Sequence, residues 1–275
     1  MTKSTLKKSV RGVTADPLQI QPRDIALLRD VWEFRFLNTE QILGLHDGSR
    51  RNLRGRLNLL FQHGYLDRPT VQKAARLATS HIVYSLGRKG AETLAKDAEE
   101  REGILRRVRE NVHTLPLIAH SLMISQFRVC LMLALKQQGD IKLTRWVQGN
   151  DLKSALSRRG ANPPLVADAF FVLETPTHKY PCFLEADRAT MTQERFVSKL
   201  KMYWRHNREE SFKETLGVSH FRVLTITPHE KRAENLCHAA KDADDRREGS
   251  LMYLFLSETR YNVETPEALL KAVWK

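Results

Sequence analysis

Two neighbouring apolar stretches, "LVADAFFVLE" (165–174) and "YPCFLEAD" (180–187), each carry an acid where a core strand would carry an aliphatic residue. Runs of Val, Leu, Phe and Tyr at this length read as buried strands. Between them "TPTHK" supplies a turn, so the pair reads as an antiparallel hairpin. Asp168 lies mid-strand in the first arm. Glu185 lies in the second, and pairing brings the two side by side. Asp187 is at i+2 from Glu185, on the same face of the strand. Carboxylates are rarely buried without a cation or a donor. This hairpin therefore has to hold something, or be held.

Strands and helices alternate around it. "IKLTRWVQGNDL" offers a short strand and a turn. "TQERFVSKLKMYWRHNREE" is an amphipathic helix, and "HFRVLTITPHEKRAENLCHAA" reads strand, loop, helix. "SLMYLFLSETRY" is a last strand and "TPEALLKAVWK" a short C-terminal helix. This order predicts an α/β core with a mixed sheet. Ahead of it, "EREGILRRVREN" reads as a helical connector. "LPLIAHSLMISQFRVCLMLALKQQG" reads as a long helix buried on more than one side, with His120 as a core residue and Gly139 at its end. No apolar run approaches the roughly 20 residues of a membrane span. Residues 100–275 are expected to form this connector and core.

The N-terminal part has another rhythm. Residues 1–21 read as a basic disordered tail. In "PRDIALLRDVWEFRFL", Ile25, Leu28, Val31 and Trp32 fall at helical spacing. Asn38-Thr39 caps a short helix, and Gly48-Ser49 opens a third, "SRRNLRGRLNLLFQHG", closed by Gly64. "YLDRPTV" and "HIVYSLG" follow as two strands joined by the basic loop "QKAARLATS". Three helices and a two-stranded ribbon predict a winged helix-turn-helix over 22–99. The third helix is then the one that enters a major groove, N-terminal residues first. Ser49, Arg50, Arg51, Arg54 and Arg56 are the expected DNA-contacting residues on that helix, with Lys73 and Arg76 on the wing. The alternative is a winged helix that mediates protein contacts, with its arginines on a solvated face.

The charge balance favours DNA. The formal net charge is +13, which attracts polyanions through counterion release. Double-stranded DNA is the expected partner, a homodimer is compatible with a winged helix, and no membrane partner is expected. The three cysteines, Cys130, Cys182 and Cys237, form no CxxC or Cys/His cluster. They indicate neither a zinc site nor a disulfide framework. A reducing bacterial cytoplasm is the expected location.

Asp168 and Glu185 together would make an oxygen-rich site for Mg2+ or Mn2+, which takes one or two carboxylates plus waters and phosphate oxygens. Such an ion stabilises charge on a phosphodiester and activates water. Arg195, Lys199 and Tyr203 follow at i, i+4 and i+8 on one helix face, from which Lys199 would reach the carboxylates. Spacing serves a second reading equally well: Glu185 and Asp187 as buried ion pairs with Arg188 and Lys199.

"LVADAFFVL", "CFLEADRAT" and "KLKMYW" resemble the plasmid replication-relaxation family, which includes MobC-type conjugative relaxases. The resemblance covers most of residues 22–225 and also takes in His120 and Trp146. Its most specific part is the E-x-D-R-x-T strand end, Glu185, Asp187, Arg188 and Thr190. It implies a restriction-endonuclease-like core of the PD-(D/E)xK kind and DNA processing on mobile elements. In that pattern Asp168, Glu185, Asp187 and Lys199 are the catalytic set, with Asp168 and Glu185 as metal ligands. Two positions depart from it. Ala167 stands where the pattern has Pro, and Asp187 stands where it has Lys, so Lys199 must come in from the next helix. The expected function is metal-dependent nicking or relaxase-type processing of DNA at an origin. The alternative is a non-catalytic replication or transcription regulator that uses the nuclease-like domain for dimerisation or partner binding.

Overall fold

The computed structural model describes residues 11–12, 17–69, 81–95, 98–109, 114–157, 165–242, 252–271 and 274. The N-terminal tail to Val10, the basic loop with Lys73 and Arg76, and most of "KDADDRREGS" lie outside the described residues. The chain forms two compact units, Met1–Val129 and Cys130–Lys275. The boundary expected at residue 99/100 falls within the first of them.

In the first unit, α1 (Pro22–Phe34) opens with Pro at its first position and a reciprocal cap between Gln21 and Asp24. Leu27, Leu28, Val31 and Phe34 are buried along one stripe. Next come β1 (Leu37–Asn38) and α2 (Thr39–Leu45), whose cap pairs Asn38 with Gln41. The third helix, α3 (Arg50–Gln62), starts where the Ser49 hydroxyl accepts the Asn52 N–H at 3.4 Å. It ends at Gly64, whose φ of +83° suits a glycine at a helix C-terminus. Two short strands, β2 (Leu66–Asp67) and β3 (Val83–Leu86), join β1 in an antiparallel sheet of order β1-β3-β2. Helices α4 (Arg88–Leu94) and α5 (Ala98–Arg109) follow. Gly90 in α4 has a packing reason: a Cβ there would overlap the Tyr65 carbonyl oxygen.

Helix α6 (Leu115–Gln138) corrects one expectation. Although broken by single polar residues, it is long and apolar enough to cross a membrane by length and composition alone, with mean hydropathy 1.6 over its best window. Half of that window is buried. Its first half is built into the core of the first unit. Ile118 and Leu122 pack with Phe36 and Val83, Ser125 donates to the Phe36 carbonyl at 2.9 Å, and Arg128 pairs with Glu33 at 3.1 Å.

The second unit is organised by a five-stranded sheet, β4 (Lys142–Gln148), β5 (Ala169–Glu174), β6 (Lys179–Ala186), β7 (Arg222–Thr227) and β8 (Tyr253–Ser257). Strand order follows the chain, β4-β5-β6-β7-β8. The first three strands form an antiparallel meander, and the last three run parallel. The expected mixed α/β sheet is therefore present. "QGNDL" is not a turn, however: α7 (Gly149–Leu156) starts there and buries Leu152 and Leu156. The C-terminal helix is a single 3-10 segment, Pro266–Leu270.

One face of the sheet packs against α7, α8 (Gln193–Arg208), α9 (Lys213–Leu216) and α10 (Glu230–Asp242) through a single apolar cluster. Phe183 is at its centre. Its ring lies 4.8 Å from Phe221, 5.1 Å from Phe170, 5.3 Å from Phe212 and 5.4 Å from Tyr203. The opposite face is also apolar: Ala169, Phe171, Leu184, Ile226 and Leu256 are all buried. A sheet buried on both faces explains why its strands read as continuous apolar runs.

Candidate functional site

The site begins with strand register. Ala169 pairs with Leu184 across β5 and β6. One step further, Asp168 stands opposite Glu185, and its N–H donates to the Leu184 carbonyl at 3.2 Å. Asp168 is thus one residue before β5, not mid-strand. From there its Oδ2 accepts the Ala186 N–H at 2.8 Å. On the other side, the parallel register sets Glu185 beside Thr225, and Thr225 beside Phe255. Glu185 therefore has an acid on one flank and a hydroxyl on the other. The Thr225 hydroxyl is buried without a hydrogen-bond partner.

Helix α8 supplies the donors that Glu185 needs. Phe196, Leu200 and Tyr203 turn one stripe of α8 into the core, and Lys199 lies at the edge of that stripe. Lys199 Nζ donates to Glu185 Oε2 at 2.5 Å, and the Tyr203 hydroxyl donates to Oε1. Arg195, on the same sequence spacing, is exposed. Glu185 is only 5% exposed. Burial pushes its carboxyl up to about 7, with Lys199 pulling it down and Asp168 pushing it further up. The Tyr203 hydroxyl is pushed well above its ordinary range by burial and by the charge on Glu185.

Asp187 has a different partner. Its N–H donates to the Ile226 carbonyl at 2.9 Å, and its Oδ2 accepts from Arg232 Nε of α10 at 2.6 Å. Arg232 also donates to the Met191 carbonyl at 2.8 Å, fastening the loop that enters α8. That loop contains Ala189 with φ +59°, a left-handed residue inside the E-x-D-R-x-T segment. Arg188 acts on Glu258, just past β8. Of the ion pairs that spacing offered, Lys199–Glu185 is present; Asp187 is met by Arg232, which no local pattern announces.

Glu258 is mostly buried, and burial pushes its carboxyl up to about 7 against the pull of Arg188. Between the ordinary carboxylate value of 4.5 and about 7 the folded chain keeps a proton that the unfolded chain has lost. The contribution of this group to stability therefore falls as pH rises through that window and is flat above it. Glu258→Gln removes the effect. Urea unfolding is expected to show the variant gaining on the wild type through this window, to roughly 1–3 kcal/mol at neutral pH. Parallel curves for the two proteins would contradict it.

Among the described residues no group of three or more His, Cys, Asp or Glu side chains is placed to hold a metal ion. The two acids Asp168 and Glu185 nonetheless fit magnesium or manganese in kind. Both are hard oxygen donors, magnesium commonly uses one or two carboxylates, and an unpartnered hydroxyl oxygen stands in the same row. A carboxylate has about four lone-pair sites in all, so each Glu185 oxygen keeps capacity beyond its present bond.

In the first unit the arginines of α3 are not equivalent. Arg56 Nε donates to Asp24 Oδ1 at 2.8 Å, and its Nη2 reaches the Gln19 carbonyl at 2.6 Å. Burial pushes the fully buried Asp24 carboxyl up, but Arg56, the Gln21 amide and Arg23 together leave it below its ordinary value. Arg50 and Arg54 both bond Glu40 of α2. Arg51 is exposed, and Ser49 is the cap of α3.

No curated protein and no solved structure matches the chain. A model of the replication-relaxation family matches residues 28–220, which include Asp168, Glu185, Asp187, Lys199 and all of α3. With well over half of the 275 residues matched, the chain belongs to the replication-relaxation family.

Proposed function

We propose that this protein processes the DNA of a plasmid or other mobile element by metal-dependent nicking. The first unit acts as a winged helix-turn-helix on duplex DNA, and the second as a nuclease-like domain. One observation supports the reading: Lys199 of α8 stands on Glu185, with Asp168, one residue before β5, opposite it. In this reading the three serve as the acid, acid and lysine of a PD-(D/E)xK site, with Asp187 standing at the position of the usual lysine. The order of strands, with helices packed on the sheet, agrees with that core.

In this scheme Asp168 and Glu185 hold Mg2+ or Mn2+. A cation held there would supply charge neutralisation at the phosphate and an activated water. In the same scheme Lys199 would donate a proton or a hydrogen bond to a phosphate oxygen. Tyr203 holds Glu185 in orientation from the apolar side. Asp187 and Arg232 fasten the turn between β6 and α8, and so set where Lys199 stands. Nothing in the scheme asks Tyr203 to be a nucleophile.

A second reading, a DNA-binding regulator with a nuclease-like core, is favoured by one observation. Both oxygens of Glu185 already have protein donors, as in a structural ion pair. One assay separates the two readings: incubation of supercoiled plasmid carrying the cognate site with and without magnesium, using wild type beside Asp168→Asn. The expected result is an open-circular product with wild type and magnesium only. Plasmid retarded but uncut by wild type selects the regulator.

A further inference from the structure

Glu40 is the second residue of α2, and its carboxylate faces the first turns of α3. Its Oε1 accepts from Arg54 at 2.8 Å, and its Oε2 meets Arg50. His81, just before β3, stands 3.7 Å from Oε1. Arg50 and Arg54 are about half exposed, at 49% and 51%, whereas Glu40 is 18% exposed. Burial pushes the Glu40 carboxyl up, but Arg54, Arg50 and His81 outweigh it and hold it below its ordinary value. An ionised carboxylate thus sits under two cations of the helix that the reading above assigns to DNA.

We propose that Glu40 is a built-in competitor of DNA phosphate, restraining Arg50 and Arg54 and setting how strongly the first unit binds duplex of arbitrary sequence. The inference rests on the DNA-binding reading of α3. Arg50 and Arg54 are four residues apart and share a helix face. Each gives one guanidinium to one Glu40 oxygen. To grip a phosphate either must leave that oxygen, or bind with a neighbouring negative charge repelling the phosphate. Sequence-independent affinity comes chiefly from such phosphate contacts. A base edge is a different target: a guanidinium pinned at one end by a carboxylate is held in a defined direction, which suits bidentate reading of guanine. Glu40 therefore weakens indiscriminate binding more than binding to a cognate site.

Glu40→Gln keeps the shape and the acceptor oxygen but removes the charge. The test is fluorescence anisotropy of the full chain on a short mixed-sequence duplex across a salt series. Glu267→Gln in the second unit serves as the control for net charge. Glu40→Gln is expected to bind roughly three- to tenfold more tightly than wild type. The slope of log affinity against log salt should steepen by about one, and Glu267→Gln should match wild type. Equal or weaker binding by Glu40→Gln, with wild type bound, overturns the role of Glu40 and leaves α3 as the DNA helix. Equal tightening in both variants also overturns it, by reducing it to net charge. No binding by wild type overturns the DNA reading itself and the inference with it.

Discussion

Lys199→Ala is expected to slow magnesium-dependent nicking by roughly a hundredfold or more and to move the acid limb of its pH profile upward. The two effects have separate causes. Loss of the ammonium removes the group nearest to the reacting phosphate in the proposed scheme. It also removes the cation that pulls the Glu185 carboxyl down from where burial and Asp168 push it. Glu185 must be ionised to ligate a cation, so its protonated range widens toward higher pH in the variant. Lys199→Arg keeps a charge beside Glu185, and is expected to restore the pH limb while leaving the rate low, because a guanidinium does not reproduce the compact ammonium. If Lys199 were only half of a structural pair, Lys199→Ala would still move the pH limb through Glu185, but Lys199→Arg would restore the rate together with the limb. A Lys199→Ala protein that nicks at the wild-type rate would remove Lys199 from the chemistry.

Phe183→Ala is expected to destabilise the second unit by about 3–5 kcal/mol. Phe183 is fully buried, and four aromatic rings lie around it within 5.4 Å between centroids. Truncation loses the transfer free energy of the ring and leaves a cavity walled by Phe170, Tyr203, Phe212 and Phe221. Those walls belong to β5, α8, the segment before α9 and the entry to β7, so they have no common motion by which to close it. Edge-to-face ring contacts add to the loss. Phe183→Leu refills part of the volume and is expected to lose less than half as much. Denaturant midpoints at equal slope measure both. A loss below about 1 kcal/mol for Phe183→Ala would contradict the assignment of this ring to the centre of the core.

The hairpin that positions the acids was legible because turn residues and apolar runs are local signals. "TPTHK" marks the reversal, and a symmetric pairing around it leads directly to Asp168 opposite Glu185. The reach of Lys199 was legible for the same reason, since helix periodicity places it on one face with Arg195 and Tyr203. Other features depend on packing between distant segments. Arg232 meets Asp187 across 45 residues of chain, and only the parallel register of β6 and β7 brings α10 there. Thr225 beside Glu185 follows from that register too. Helix α7 was hidden because Gly149, with φ +61°, does turn the chain. The eight-residue helix it opens is held by burial of Leu152 and Leu156, which the polar "GNDLKS" does not signal. In the first unit the sequence displays four arginines on α3 but not their partners. Asp24 and Glu40 lie on other helices, and they divide the set into Arg56, tied into the core edge, and Arg50, Arg51 and Arg54 on the outer surface.

Asp168 and Glu185 are proposed to form a cation site. The most direct test is manganese binding followed by electron paramagnetic resonance, comparing wild type with the Asp168→Asn/Glu185→Gln double variant. Wild type is expected to show a site that quenches the free-manganese signal and releases the ion to excess magnesium. Loss of that site is expected in the double variant, with the fold persisting by circular dichroism. Manganese binding that is equal in the two proteins, or absent from both, would contradict the proposal.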